Sequence, residues 1–435
     1  MERRNFLKTS ALATGALMMP FSVWSKEDKI NLAILGTGWW GRDILLPNIL
    51  SSGRFNILAL CDVDATALQK TADAVVKAGN PKPKLFSSYL EMYEVPGLQA
   101  VAIVTPTHWH ALQFIAACQK GLDVFLEKPV SYDIREGQKM LEAHQKAGNI
   151  VAVDFPRVKF DTNDQVKAYI NSGAAGEILQ AKANINHNEG SLVEKAIPPT
   201  LDYEAFCGPA PKVKFMTSPD GETWAWRGQH AFSRGILADW GIHYIHNIRK
   251  VLDLELPDSI TAMGGTIKNF THDNPDYLDV KFDFAGKPVY WSHKSWGYTS
   301  DRPETNIGVY YYGEKATIFA GDIGWEVYPA DGSAKIVNGD IRFNADPSFM
   351  PKAMKAIESL FIEFATAIRN RSEKGIAVTL EEAYKSTAAV IYADIAFRTQ
   401  SPITVNISSM DIVNNSSASA MLKRAYRESF RHPFS

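Results

Sequence analysis

Apolar residues follow two rhythms along this chain, and the rhythm changes near Phe155. From Lys29 to Val153, short and nearly unbroken apolar runs alternate with longer amphipathic stretches. The runs are Lys29–Leu35, Phe55–Leu60, Ala100–Val104, Asp123–Leu126 and Ile150–Val153. Runs of this kind predict strands buried on both faces of a parallel sheet. The stretches Asp43–Leu50, Ala65–Lys77, His110–Lys120 and Ile134–Lys146 predict helices, with Gly121 and Gly148 as stops for the last two. Strands alternating with helices of this length predict a doubly wound α/β sheet with right-handed crossovers.

Beyond Phe155 the strands alternate polar and apolar residues. They are Ile178–Ile185, Ile260–Thr266, Leu278–Phe284, Val289–Ser295, Ile307–Tyr312 and Thr317–Ala320. Turn residues such as Ala285-Gly286-Lys287-Pro288 join them, so the pattern predicts a large antiparallel sheet. A helix is expected over Asp164–Asn171, and amphipathic helices over Lys352–Asn370 and Leu380–Arg398. Ile197–Ser233 is rich in Pro, Trp and Phe and has no period. It reads as a long ordered loop, and such loops usually carry function. No internal repeat and no linker composition interrupts the chain, so the two parts are expected to pack tightly. The domains are read as 29–155 and 156–435.

The start of the chain does not belong to this pattern. Met1–Lys8 reads MERRNFLK, and Ala11–Trp24 is a short, mostly apolar run. A charged start before such a run is the form of an export signal, here residues 1–25, with a cut expected after Ser25. Arg3-Arg4 followed by Phe6, Leu7 and Lys8 resembles the twin-arginine signal, which carries folded proteins, so a periplasmic location is expected. No other apolar run is long enough for a transmembrane helix, and no stable membrane insertion is expected once the signal is removed.

Composition adds mostly exclusions. A length of 435 residues suits two domains, and 46% apolar with 22% charged residues is ordinary for a soluble protein. A net charge of −2 gives no footprint for nucleic acid or a membrane surface. Cys61, Cys118 and Cys207 form neither a disulfide framework nor a metal-ligating spacing, so they are expected in the core and no metal site is expected.

The first chemistry-bearing run is Gly36-Thr37-Gly38-Trp39-Trp40-Gly41. It follows a predicted buried strand and opens a predicted helix, the context a dinucleotide-binding turn requires. The first glycine makes the turn, the second lets backbone approach a pyrophosphate, and the third lets helix and strand pack closely. Asp62 ends the second strand about 20 residues on, where a carboxylate accepts from ribose hydroxyls. Val63 and Asp64 follow it, so a 2′-phosphate would be repelled and NAD is favoured over NADP. The first domain is thus read as a Rossmann domain.

Two further strand ends carry polar residues: Thr105-Pro106-Thr107-His108-Trp109-His110 and Glu127-Lys128-Pro129. Ligands of open α/β sheets bind at such carboxyl ends. Cofactor contacts are therefore expected from Gly36, Gly38, Trp39, Trp40, Gly41, Asp62, Thr105, Pro106, His110, Glu127 and Lys128. In the second domain Asp239 and His243 are four apart on an expected helix and share a face with His246 nearby.

With these pieces in order, the sequence resembles the glucose–fructose oxidoreductase, inositol dehydrogenase and MocA family, written Gfo/Idh/MocA. The resemblance rests on the glycine turn, TPTHWH, Glu127-Lys128-Pro129, Arg157 in DFPRVKF, GILADWGIHYIHNIRKVL and FIEFATAIRN. It implies a second domain whose open sheet makes an oligomer contact (a dimer or tetramer) and substrates that are sugars or polyols. It also implies Glu127 and Lys128 beside the nicotinamide ribose, Asp239 and His243 facing the substrate, and a cis Lys128–Pro129 bond. Many relatives carry an acidic residue where His246 stands. Trp226 and Arg227, in Trp224-Ala225-Trp226-Arg227, suit stacking on a sugar and hydrogen bonding to it; with Arg157 and His246 they complete the substrate candidates.

Three functions follow. In the first, an oxidoreductase, His243 or Lys128 takes the proton of a sugar hydroxyl whose carbon is oxidised, and Asp239 orients the pair. In the second, implied by the resemblance, a glycoside is cleaved through transient oxidation at C3, elimination, addition of water and return of the electrons. This departs from the paired-carboxylate scheme. Export favours it, because an exported enzyme must recycle a tightly held cofactor. The third is a sugar-binding protein without catalysis.

Overall fold

The computed structural model describes residues 29–187, 190–221, 225–268, 271–297, 305, 307–341, 349–413 and 415–435. The expected export signal and Trp224 lie outside the described residues.

The first six strands are β1 (Ile30–Leu35), β2 (Phe55–Cys61), β3 (Lys84–Phe86), β4 (Ala100–Ile103), β5 (Asp123–Glu127) and β6 (Val151–Asp154). They form one parallel sheet in the order β3-β2-β1-β4-β5-β6. Every residue of β4, β5 and β6 is buried, which is why these segments carry no polar alternation. The short β3 has no apolar run to announce it. The helices between the strands are α1 (Leu46–Ser51), α2 (Ala65–Lys77), α3 (Tyr89–Tyr93), α4 (His110–Gln119) and α5 (Ile134–Ala147). A π turn over Trp40–Leu45 leads into α1. Asp133 caps α5 with a reciprocal Glu136 bond, and Gly148 closes it in the left-handed region.

After α6 (Asp161–Asn171) comes β7 (Ile178–Asn186). Next are a small ribbon of β8 (Val193–Glu194) and β9 (Met216–Thr217) around α7 (Tyr203–Cys207), and then α8 (Ile242–Leu252). The remaining strands are β10 (Ser259–Gly265), β11 (Tyr277–Phe284), β12 (Lys287–Lys294), β13 (Ile307–Gly313), β14 (Ala316–Ala320), β15 (Gly324–Pro329), β16 (Ile336–Gly339), β17 (Ile403–Asn406) and β18 (Asp411–Val413). With β7 they make a ten-stranded sheet in the order β16-β15-β14-β13-β7-β12-β11-β10-β17-β18. All its pairs are antiparallel except β7 with β12.

The last helices tie the two sheets together. They are α9 (Phe349–Asn370), α10 (Leu380–Arg398) and α11 (Ser416–Ala420). α9 covers the first sheet, with Phe361 stacked on Phe125 at 4.1 Å and Phe364 on Phe55 at 6.2 Å. A segment from the second half of the sequence thus completes the first domain's core. α10 is not amphipathic: Ala383, Tyr384 and every residue from Ser386 to Ala396 are buried. Ala388, Ala389, Ala393 and Ala396 let neighbours approach on all sides. The loop Ile197–Ser233 has its own small core of Leu201, Tyr203, Phe206, Phe215 and Phe232. All three cysteines are free and buried, as expected. Among the described residues no helix is long and apolar enough to cross a membrane.

Candidate active site

The strand order turns outward on either side of β1 and β4, and ligands bind at such a switch point outside the carboxyl ends. Gly36 stands there with φ +96°, and a Cβ on it would lie 2.7 Å from the Val104 carbonyl carbon. A Cβ on Gly41 would lie 2.3 Å from the Gly36 carbonyl oxygen, so helix and strand pack at a distance only glycine permits. A Cβ on Gly38 would meet nothing within 4 Å. That open space over a helix start fits a pyrophosphate. Asp62 Oδ2 accepts from the Thr37 N–H at 2.6 Å and its hydroxyl at 3.0 Å; Oδ1 accepts from the Asp64 N–H at 2.9 Å. Three of its roughly four acceptor positions are thus filled, leaving about one for a ribose hydroxyl. The long loop docks at the same strand end: the Asp202 N–H donates to Val63 and the Ala65 N–H to Thr200.

The second half of the site sits where β5 meets α8. The Lys128–Pro129 bond is cis. The Lys128 ammonium donates to the Asp239 carboxylate at 2.8 Å and to its carbonyl at 2.7 Å. Asp239 belongs to a π turn, Leu237–Gly241, that leads into α8. Both glycine-flanked helix starts of the site therefore open with a π turn, a feature frequent at functional sites. Arg227 reaches the other Asp239 oxygen at 3.3 Å and lies 4.4 Å from the Trp226 ring centroid. Despite burial, Lys128 and Arg227 hold the Asp239 carboxyl well below the usual range.

His243 follows on α8 and is 5% exposed, with Nδ1 buried and unpartnered. Burial, with the charges of Lys128 and Arg157, pushes its imidazole well below the ordinary histidine value. The ring is therefore neutral at neutral pH. Arg157 Nε donates to the Tyr244 hydroxyl and to Asp322, both at 3.2 Å, beneath the Trp240 ring at 5.2 Å.

Residues 30–155 match an oxidoreductase family with an NAD-binding Rossmann fold, and residues 212–319 match the GFO/IDH/MocA C-terminal domain. The chain belongs to the Gfo/Idh/MocA family. A glycosyl hydrolase family 109 protein of Stenotrophomonas maltophilia is 26% identical over 243 residues, covering 54% of this chain and 51% of its own. An inositol 2-dehydrogenase of Rhodococcus jostii is 26% identical over 180 residues, covering 41% and 46%. The chain spans about half the length of the curated relatives it matches. Among solved structures, an oxidoreductase from Agrobacterium radiobacter in complex with NAD+, L-tartaric acid and magnesium superposes with a TM-score of 0.67. Its identity is 16%, over 88% of this chain and 99% of that one. Levoglucosan dehydrogenase in complex with NADH gives 0.64 at 17% identity, over 86% and 99%. The structural likenesses establish the fold.

Within this Gfo/Idh/MocA chain most expected site residues converge, and two stand elsewhere. His110 is wholly buried, its ring nitrogens 2.8 Å from the Thr105 and Pro129 carbonyls. It braces the cleft wall from behind and does not line it. His246 is wholly buried against Phe155 at 4.5 Å, with Nδ1 2.9 Å from the Ser386 hydroxyl. Three positions on from His243, its ring turns toward Phe155 and Ser386 and points into the core, so it does not face a substrate. Thr105 and Pro106 are partly exposed, Trp39 is 59% exposed, and the Trp40 Nε1–H donates to Glu127. Sequence reasoning missed His187, which follows β7 with its ring 5.4 Å from Trp240 and feels the charges of Asp239 and Arg227. It also missed Asp322, Tyr244 and Asp154. A polar residue just past an alternating strand, as His187 is, was the only available signal.

Proposed function

We propose that the chain oxidises a hydroxyl-bearing carbon of a sugar or polyol with bound NAD, with Lys128 and His243 as the acid–base pair. The observation that carries this reading is the Lys128–Asp239 ion pair beside neutral His243, at the mouth of the dinucleotide turn. Asp239 fixes the ammonium, and Arg227 fixes Asp239. The ammonium is then aimed to hold a substrate oxygen while His243 takes its proton. When bound, the nicotinamide supplies a two-electron acceptor, for net oxidation or for a transient one reversed within the turnover. Trp226, Arg227, Trp240 and His187 offer aromatic faces and donors of the kind sugars need. Asp62, followed by Val63 and Asp64, favours NAD over NADP.

A second reading, redox-neutral glycoside cleavage, is supported by the family 109 relative and by Arg3-Arg4. An exported enzyme with a tightly held dinucleotide has no need of a soluble pool. One experiment separates the two. The purified protein is assayed for retained NAD, then given nitrophenyl glycosides and free sugars with and without added NAD. Stoichiometric NADH from a free sugar supports the dehydrogenase; nitrophenol without net NADH supports the glycosidase. Dinucleotide binding that survives Gly38→Trp refutes the cofactor site.

A further inference from the structure

Glu127 ends β5 and Asp154 ends β6, and the two are register partners in adjacent parallel strands. Both are buried, at 7% and 1% exposed. The Glu127 oxygens accept from the Trp40 indole N–H and, at 3.1 Å, from the Lys128 N–H. Neither Asp154 oxygen has a donor at full hydrogen-bonding geometry, although both are buried and the Trp40 indole stands beside them. As register partners on adjacent strands the two carboxyls face each other in the interior, which is favourable only with a proton between them.

A charge count around the pair agrees. Arg157 is matched by Asp322, and His243 is neutral. On α9 Glu363 is held by Lys159, and on α10 Asp394 is held by Arg234 and Arg398. What remains is Lys128 and Arg227 against Asp239, Glu127 and Asp154. Two cations face three carboxyls, so one proton makes the cluster neutral. An arriving cationic nicotinamide would do the same and make the proton redundant.

We propose that Glu127 and Asp154 share one proton that is exchanged for the positive charge of oxidised nicotinamide: NAD+ binds with release of that proton, and NADH binds with it in place. Burial and the neighbouring carboxyl push Glu127 well above the ordinary glutamate range, and burial raises Asp154 as well. Asp154 is a positioning residue in this scheme, because it acts through Glu127. The inference rests on the cofactor reading above and assigns that site a proton-linked preference between the two redox states.

Calorimetry of the full chain with NAD+ and with NADH tests it, in buffers of different ionisation heat and over a range of pH. NAD+ binding should release about one proton and tighten with rising pH, by up to about tenfold per pH unit. NADH binding should release none and stay flat. In Asp154→Asn and in Glu127→Gln the amide holds the remaining carboxylate without a titrating proton. Proton release should vanish in both, and in Asp154→Asn, which acts only through Glu127, NADH affinity should stay within a few-fold. Equal pH dependence for the two dinucleotides, or proton release that persists in both variants, overturns the inference and leaves the cofactor reading intact. Failure of the wild-type chain to bind either dinucleotide overturns both.

Discussion

Two buried clusters of charge in this molecule are built from similar residues and finished differently. The first, around Asp133 and Glu136 at the start of α5, is closed by the end of the chain. Asp133 accepts from the Glu136 and Arg424 N–H groups and stands 3.0 Å from His432. Glu136 accepts from Arg424, the Tyr426 hydroxyl and the Tyr132 N–H. The Arg424 guanidinium is stacked between the Tyr132 and Tyr426 rings at 4.3 and 4.8 Å. Asp133, Glu136 and His432 could geometrically crowd a metal ion, yet each already has protein partners. The second cluster, around Lys128, leaves His243 Nδ1, both Asp154 oxygens and one Asp322 oxygen buried without partners. Buried polar groups are nearly always satisfied, so orphans in one cleft mark where a ligand is awaited. The first cluster leaves one orphan, Arg424 Nη1, with its carboxylates fully partnered, and holds the fold; the second leaves two of its carboxylates and its histidine open.

Breaking each cluster should therefore give opposite phenotypes. Lys128→Ala is expected to lower turnover roughly a hundred- to ten-thousand-fold, with a smaller loss of stability than a fully buried pair would give, because Arg227 still holds Asp239. Steady-state kinetics and urea unfolding check this, and undiminished turnover would remove Lys128 from the chemistry. Arg424→Ala should do the reverse. It strips the cation from Glu136, whose side chain is fully buried, and should cost about 3–5 kcal/mol in urea unfolding. The protein that remains folded should turn over normally.

The pH profile sharpens the contrast. His243 is held well below the ordinary histidine value, so it is deprotonated and competent as a base above that lowered value. The rate should stay level as pH falls through about 6.5, where an ordinary histidine would become protonated. An acid limb at that value in kcat/KM, absent in His243→Ala, would show that the base is solvated and that burial does not set its titration.

How much of this was legible in the chain depended on distance. The first sheet apart from β3, the glycine turn and Lys128 were readable because each depends on neighbours in sequence. The antiparallel strands with strict alternation were readable too, but β15 to β18 were not, since β16 to β18 are short and β15 is buried from Gly324 to Val327 without alternation. α10 misled because small residues among polar ones look amphipathic; only tertiary packing shows that all its sides are covered. The tail cluster joins α5 to residues almost three hundred positions on, and no local pattern encodes that. Asp154 looked like one more strand-end residue until its register with Glu127 was known. His110 and His246 were misassigned for one reason: spacing gives a face of a helix, but not which face the core takes.

His246 offers the smallest and most discriminating change. Arg249 donates to the Ser386 hydroxyl at 2.7 Å, and the same hydroxyl bonds His246 Nδ1 at 2.9 Å. In either tautomer Nε2 is left buried with no partner. An unsatisfied buried polar group costs about 1–3 kcal/mol, and a neutral hydrogen bond contributes about 0.5–1.5 kcal/mol. His246→Leu removes both, so the two effects should nearly cancel and stability should move by less than about 1.5 kcal/mol in either direction. Because the ring lies behind Phe155, KM for the proposed sugar substrate should not move. A several-fold rise in KM with unchanged stability would return His246 to the substrate site and erase the boundary between the holding and the reacting halves of α8.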